Sequence, residues 1–298
     1  MPLPQLRRAA SDRPGDIPAD VRILSGDPLP DGNEQLLHHW GGRYGLSLGQ
    51  TGSGWVFRSC FGDAITVSQD GRRVGLTGDA AARSPGTYDV LERRVLPRVA
   101  TLFGATALHG ASVRKNGLGL LLLGSSGAGK STLTAALAVN GWDVLSDDLS
   151  VVRGGDGPVL EPCGTGICVW PDTRAALNLD PRRCDAMPGY VGKLRYDAGQ
   201  THDVAPARLG GCIVLKRRPD IVRPRIEPIR QAEALIAAVR QYVPFNPAGS
   251  IEQHAEAVAA IHRIVAAAPA FRLSYPGNYA ALDATREALE ALAFRAAA

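Results

Sequence analysis

Apolar and polar positions change rhythm several times along the chain, and each change marks an element. Between residues 43 and 77, short alternating runs (Tyr44-Gly-Leu-Ser-Leu, Trp55-Val-Phe-Arg, Ala64-Ile-Thr-Val, Arg73-Val-Gly-Leu) are separated by Gly, Asp and Ser. Alternation predicts half-buried strands, with Gln69-Asp70-Gly71-Arg72 as a hairpin turn centred on Asp-Gly. From Tyr88 to Phe103 the period becomes helical, with Leu91, Val95, Leu96, Val99 and Leu102 on one face. From Ala107 the chain reads as an α/β unit. Leu108–Val113 and Leu118–Leu123 are strands joined by an Asn116-Gly117 turn, and a helix containing Leu133 and Ala135–Ala138 ends at Asn140-Gly141. Trp142–Ser146 follows as a strand terminating in Asp147-Asp148.

Further strands are expected at Leu149–Arg153, Gly166–Val169 and Gly211–Leu215, and helices at Ala232–Tyr242, Ile251–Ala267 and Tyr279–Phe294. Lys216–Arg230, rich in Arg and Pro, reads as an extended connector. Residues 1–35, rich in Pro, Asp and Arg, read as a loose arm with one short strand near Val21–Leu24. The expected organisation is an arm over 1–35, a small β-rich domain with a linking helix over 36–104, and an α/β domain with C-terminal helices over 105–298. No internal repeat or low-complexity tract interrupts it.

The strongest chemical signal lies between the Leu118–Leu123 strand and the helix after it. Residues 124–131 read Gly-Ser-Ser-Gly-Ala-Gly-Lys-Ser and fit the phosphate-binding loop in its required strand–loop–helix setting. Gly124, Gly127 and Gly129 let the backbone curl so that N–H groups, including those of Ser125, Ser126 and Ala128, converge on one anion. The helix N-terminus adds its dipole. Lys130 would reach the β- and γ-phosphates, the Ser131 hydroxyl would sit on Mg²⁺, and Thr132 closes the nucleotide-binding run. A plain glycine-rich turn would require neither the Lys-Ser pair behind its last glycine nor the apolar strand in front.

Asp147 and Asp148 close a strand shortly after that loop, where one carboxylate could hold Mg²⁺ and the other accept the proton of an incoming hydroxyl. A solvated Asp-Asp pair capping the next turn is the bland alternative. A transporter-type ATPase would share the loop, but it should also carry Leu-Ser-Gly-Gly-Gln and a distant strand ending in Asp-Glu. Neither is present.

Composition narrows the picture. The 298 residues carry a formal net charge of +4, which gives no nucleic-acid signature. Lysines occur only at 115, 130, 193 and 216, so Arg supplies most of the basic character. The five cysteines (60, 163, 168, 184 and 212) form no C-x-x-C pair; free thiols in a reducing cytosol are expected and zinc is not. The longest apolar run, Leu118–Leu123, is too short to span a bilayer, and no apolar stretch follows Arg7 and Arg8. A cytoplasmic protein without membrane or nucleic-acid partners is expected.

Taken in order, Leu108-His109-Gly110, the Gly124–Ser131 loop, Asp147-Asp148 and Glu161-Pro162-Cys163-Gly164-Thr165-Gly166 resemble the catalytic domain of HPr kinase/phosphorylase and its bacterial relatives. The resemblance covers roughly residues 105–215. It implies an α/β fold with a P-loop kinase core of the HPr kinase type, preceded here by the small N-terminal β-rich domain and followed by C-terminal helices. It also implies ATP and Mg²⁺ as cofactors. Lys130 and Ser131 would bind phosphates and metal, His109 would lie near the phosphates, and Glu161 would be a second metal ligand. One aspartate would be the base that deprotonates the acceptor serine. Asp147 is preferred for that role, leaving Asp148 with Ser131 and Glu161 as metal ligands, although the sequence does not separate the two aspartates.

Two departures matter. Cys163-Gly164 replaces the Arg-Gly of the bifunctional enzymes, and the proline- and arginine-containing loop linked to phosphorolysis has only a loose stand-in at Gly189–Lys193. Kinase activity without phosphorylase activity is therefore expected. The wording of Leu108–Val113 and Ser146–Val151 is more similar to HPr-kinase-like proteins found with ribosomally made peptides, among them the lasso-peptide kinases, which phosphorylate a precursor serine.

The first expectation is thus an ATP-dependent serine kinase acting on a peptide or small protein, with the N-terminal β-unit offering an edge strand to a peptide. A kinase for free serine or another small alcohol, and an ATP-binding regulatory protein without turnover, are the alternatives. Relatives form homo-oligomers, but no interface is legible in the sequence.

Overall fold

The computed structural model describes residues 22–26, 33–41, 45–79, 82–155, 157–164, 166–199 and 204–297. Of the expected arm, the segments outside 22–26 and 33–35 lie beyond the described residues, as does Tyr44. The N-terminal alternation builds six strands: β1 (Arg22–Ser25), β2 (Gln35–Trp40), β3 (Leu46–Thr51), β4 (Gly54–Arg58), β5 (Ala64–Ser68) and β6 (Arg73–Leu76). They form one sheet in the order β1-β6-β5-β4-β3-β2, antiparallel except that β1 pairs parallel with β6. The short strand expected near Val21–Leu24 thus forms at Arg22–Ser25, as an edge strand of this sheet. The Asp70-Gly71 hairpin forms as expected, with Gly71 at φ 71° and the Asp70 carboxylate accepting from Arg72 N and the Ser68 hydroxyl.

The expected linking helix is three pieces: α1 (Pro85–Val90), a π-helical turn (Leu91–Val95) and α2 (Leu96–Thr101). Leu96 N–H reaches back five residues to the Leu91 carbonyl. Pro97, with no N–H for a carbonyl four residues earlier, has the wider turn directly before it. Val90, Leu91, Val95, Leu96 and Val99 pack on Leu48, Phe57, Ile65 and Val74 of the sheet.

The second sheet contains β7 (Thr106–Lys115), β8 (Leu118–Leu123), β9 (Asp143–Ser146), β10 (Leu149–Arg153), β11 (Val159–Glu161), β15 (Ala207–Arg217), β16 (Arg225–Pro228) and β17 (Ala270–Tyr275). Its order is β11-β10-β7-β8-β15-β17-β16, with β9 also on β7. β8, β15 and β17 run parallel. The β7–β8 turn has Asn116 at φ 52° and Gly117 at φ 78°, the conformation a two-residue hairpin needs.

Helices cover both faces. α5 (Gln231–Val239) and α6 (Ile251–Ala266) pack on Leu121 and Leu123, whereas α3 (Lys130–Val139) and α7 (Leu282–Ala297) pack on Leu120 and Leu122. Burial on both faces is why β8 reads as an unbroken apolar run. A third, three-stranded sheet orders β12 (Ile167–Val169), β14 (Leu194–Tyr196) and β13 (Cys184–Ala186), with the short helix α4 (Pro171–Ala176) after β12. Among the described residues, no helix is long and apolar enough to cross a membrane.

Two expectations change. Lys216–Arg230 is not simply a connector: β15 runs to Arg217, and Arg225–Pro228 forms an edge strand against β17. The strand before the aspartates does not terminate there either. Ser146 opposes Ser112 and Leu149 opposes His109, so the register carries straight through Asp147-Asp148, and Gly110 N donates to the Asp148 carbonyl at 3.1 Å. β9 and β10 are two halves of one strand along β7, with the aspartates in a kink between them.

Candidate active site

β8 delivers the chain into Gly124–Gly129, and α3 begins at Lys130. Gly129 caps the helix at φ 91°, and a Cβ there would lie 2.4 Å from the Tyr275 hydroxyl, so backbone and space both demand glycine. The Tyr275 hydroxyl donates to the Ala128 carbonyl, and Arg217 Nη1 donates to the Gly127 carbonyl at 3.2 Å. Residues at the ends of β17 and β15 thus grip the loop from behind. Lys130 lies along its inner side, buried, with Nζ donating to the carbonyls of Gly124 (2.7 Å) and Ser125 (3.3 Å). Burial pulls the Lys130 pKa down, while Asp147 and Asp148 oppose that shift.

The two aspartates occupy contrasting surroundings. Asp147 is 2% exposed, and its Oδ2 accepts from Cys168 N at 2.9 Å. Its Oδ1 is buried without a hydrogen-bond partner. Burial pushes the Asp147 pKa up, against the pull of Arg93, the Cys168 N–H and the nearby Ser131 hydroxyl. Asp148 adopts φ 84°, unusual for a non-glycine residue, and its side chain is about one-third exposed. His109 Nδ1 lies 3.3 Å from one carboxylate oxygen and Arg93 Nη2 3.2 Å from the other. Burial acts to raise its pKa, but the His109 hydrogen bond and the Arg93 charge prevail and hold it well below the usual carboxylate range.

Asp148 opens onto a cleft lined by Asp89, Val90, Arg93, Arg94, Met187, Tyr190 and Lys193. Lys193 Nζ sits 4.9 Å from the Tyr190 ring centre and 5.9 Å from that of Trp170.

Lys130, Ser131, His109 and both aspartates are therefore brought to one place, but not in the expected grouping. Ser131 lies beside Asp147 rather than Asp148. Glu161 is engaged by Arg153, with Nε 2.8 Å from Oε1 across the β10–β11 pair. Among the described residues, no group of three or more His, Cys, Asp and Glu side chains gathers to cage a metal ion. Arg93 and Asp89 were not expected here, because the sequence places them on a helix read for its apolar face. The available sign was Pro97 inside the helical pattern, which marks a break in regular α-helix at the turn that carries Arg93.

No protein-family model matches the chain, and no curated protein matches it. Among solved structures, the HPr(Ser) kinase/phosphatase from Coxiella burnetii is similar over 64% of this chain and 99% of that chain, at 11% identity and a TM-score of 0.35. Likeness at that level leaves the reading of the site to its own geometry.

Proposed function

We propose that the chain is an ATP-dependent kinase that transfers the γ-phosphoryl group to a serine hydroxyl on a peptide or small protein. One observation carries this reading: consecutive aspartates beside a Gly124–Ser131 phosphate loop face different surroundings, Asp147 the loop and Asp148 an open cleft. The partnerless buried Asp147 oxygen near the Ser131 hydroxyl is a donor set that suits a hard divalent cation, so these two residues would hold Mg²⁺. Bound there, Mg²⁺ would neutralise charge on the phosphates.

The loop N–H groups cradle the phosphate chain, and Lys130 Nζ exchanges its hold on the Gly124 and Ser125 carbonyls for phosphate oxygens. Asp148 orients the acceptor hydroxyl. As the acceptor oxygen–phosphorus bond forms and the bond to the departing diphosphate breaks, Asp148 takes the hydroxyl proton. His109 and Arg93 fix the carboxylate for that task. This assignment reverses the sequence-based preference for Asp147 as base, because Asp147 is walled off from the cleft. A carboxylate held at low pKa is a weak base, and phosphoryl transfer asks it chiefly for positioning.

The edge strand β2 of the N-terminal sheet, which could add a peptide as a further strand, favours a chain acceptor over a small alcohol. The wording shared with kinases of ribosomally made peptides favours a lasso-type precursor. Cys163, whose thiol burial pushes up to about 12, cannot supply the cation found there in the bifunctional enzymes, which supports transfer without phosphorolysis.

Incubating the protein with Mg²⁺–ATP and a serine-containing precursor peptide, then weighing the peptide by mass spectrometry, tests the reading. One added phosphate on serine, retained when inorganic phosphate replaces ATP, is expected. Phosphorylation of free serine but of no peptide would transfer the case to small-molecule kinases. ATP binding with no transfer to any hydroxyl would make the chain a nucleotide-gated protein.

A further inference from the structure

The aspartates fix where the far end of the nucleotide must go. Asp147 and Asp148 lie on the β7 side of β8, so the reacting end of the phosphate chain faces that side. The nucleoside end then leaves toward the other side, where β15 and β17 run parallel to β8. Parallel strands present ligand sites at their C-terminal ends. The ends here are Arg217 and Tyr275, followed by Pro276–Tyr279.

Arg217 ties that segment to the loop: Nη1 donates to the Gly127 carbonyl and Nη2 to the Gly277 carbonyl. The Asn278 side chain caps the next turn by accepting from Ala281 N at 2.9 Å. Tyr279 is held at its hydroxyl, 2.9 Å from Thr173 Oγ1, which is itself 3.3 Å from Thr132 Oγ1 in the first turn of α3. The side chain remains 40% exposed. An aromatic ring pinned at one end, open to solvent and two side chains from the phosphate-loop helix is suited to stacking a planar base.

We propose that Tyr279, with Arg217 at its rim, is the nucleobase subsite, and that the purine of the nucleotide stacks on the Tyr279 ring. This rests on the phosphate-loop reading above. Stacking is tolerant of base identity, so ATP and GTP should bind with similar affinity.

Calorimetric titration of the full chain with ATP, GTP and inorganic tripolyphosphate, each with Mg²⁺, separates the two halves of the ligand. Tyr279→Ala should weaken ATP and GTP about tenfold and leave tripolyphosphate unchanged. Tyr279→Phe, which keeps the ring and loses the Thr173 hydrogen bond, should bind all three within about twofold of the parent. Equal losses for ATP and tripolyphosphate in the Ala variant would show Tyr279 acting through Thr173 on the loop, and would overturn the subsite. So would unchanged ATP affinity in the Ala variant, or a Phe variant as weak as Ala. If the parent protein bound neither ATP nor tripolyphosphate, the phosphate-loop reading itself would fall.

Discussion

Replacing Arg93 by Met removes the countercharge shared by three carboxylates while keeping much of the side chain's bulk. The Arg93 side chain is 4% exposed; it lies 3.2 Å from Asp148 and 3.8 Å from Asp89, and its charge is felt by Asp147. Stripping one partner from a buried pair costs about 3–5 kcal/mol. The lower end applies, because Arg195 still reaches Asp89 at 3.8 Å and His109 still reaches Asp148. About 3 kcal/mol translates to roughly 5 °C in melting temperature for a chain of 298 residues.

The deficit has a determined pH dependence. Burial holds Asp89 and Asp147 above the ordinary carboxylate range, so ionising them costs stability, and Arg93 limits that cost. Without Arg93 both move further up. The variant's disadvantage is then largest when all three carboxylates are ionised, and shrinks as pH falls and the raised ones take protons. It does not vanish, because Asp148 in the parent stays charged to low pH. Thermal melts of parent and variant, followed by circular dichroism at about pH 8 and about pH 5, measure both effects. A deficit that is equal at the two pH values, or larger in acid, would show that Arg93 matters through packing and refute the charge argument.

Three further outcomes are expected. Lys130→Ala should abolish most of the thermal stabilisation by Mg²⁺–ATP, about 2.7 kcal/mol when ligand is at a hundred times its Kd; an undiminished shift would place the nucleotide elsewhere. Asp147→Asn should raise the Mg²⁺ concentration needed for activity, whereas Asp148→Asn should lower turnover with nucleotide affinity retained. The reverse pattern in steady-state kinetics would return the base role to Asp147. Gly129→Ala should cost about 1–2 kcal/mol from its left-handed backbone, with a further loss from the contact at the Tyr275 hydroxyl, and Tyr275→Phe in that background should recover only the second part. Denaturant melts of the single and double variants read both, and a silent Gly129→Ala would mean the loop does not hold this conformation.

What the sequence showed and hid follows from the range of each interaction. Local signals read through: Asp70-Gly71 and Asn116-Gly117 made their hairpins, the β8 run was a strand, and Asn140-Gly141 stopped α3. β17 was not foreseen, although Phe271-Arg272-Leu273-Ser274-Tyr275 alternates apolar and polar residues as a half-buried strand does. β16 was hidden by Arg and Pro, both acceptable on an edge strand. The candidate site shows the same division. The phosphate loop and the aspartates are contiguous motifs and were legible, but Arg93, Tyr275 and Arg217 reach them only through the fold. Glu161 matched a short motif, yet the β10–β11 register hands its carboxylate to Arg153.

The kink at Asp147-Asp148 explains how neighbouring residues acquire contrasting surroundings. In a regular strand, successive side chains point to opposite faces, and both faces of this sheet are packed with helices. Two unbroken strand positions would therefore bury both carboxylates. The left-handed backbone at Asp148 breaks the alternation for one residue and turns its carboxylate to the cleft, at a cost of about 1–2 kcal/mol. Pairing with Arg93 and His109 offsets that cost, and the register with β7 resumes at Leu149. Asn tolerates this backbone better than most residues. Asp148→Asn thus removes the charge while sparing the kink, whereas Asp148→Ala would add backbone strain to the chemical loss. Comparing the two variants separates the carboxylate's chemistry from the conformation that presents it: lost turnover with parent-like melting in Asn, and lower melting as well in Ala.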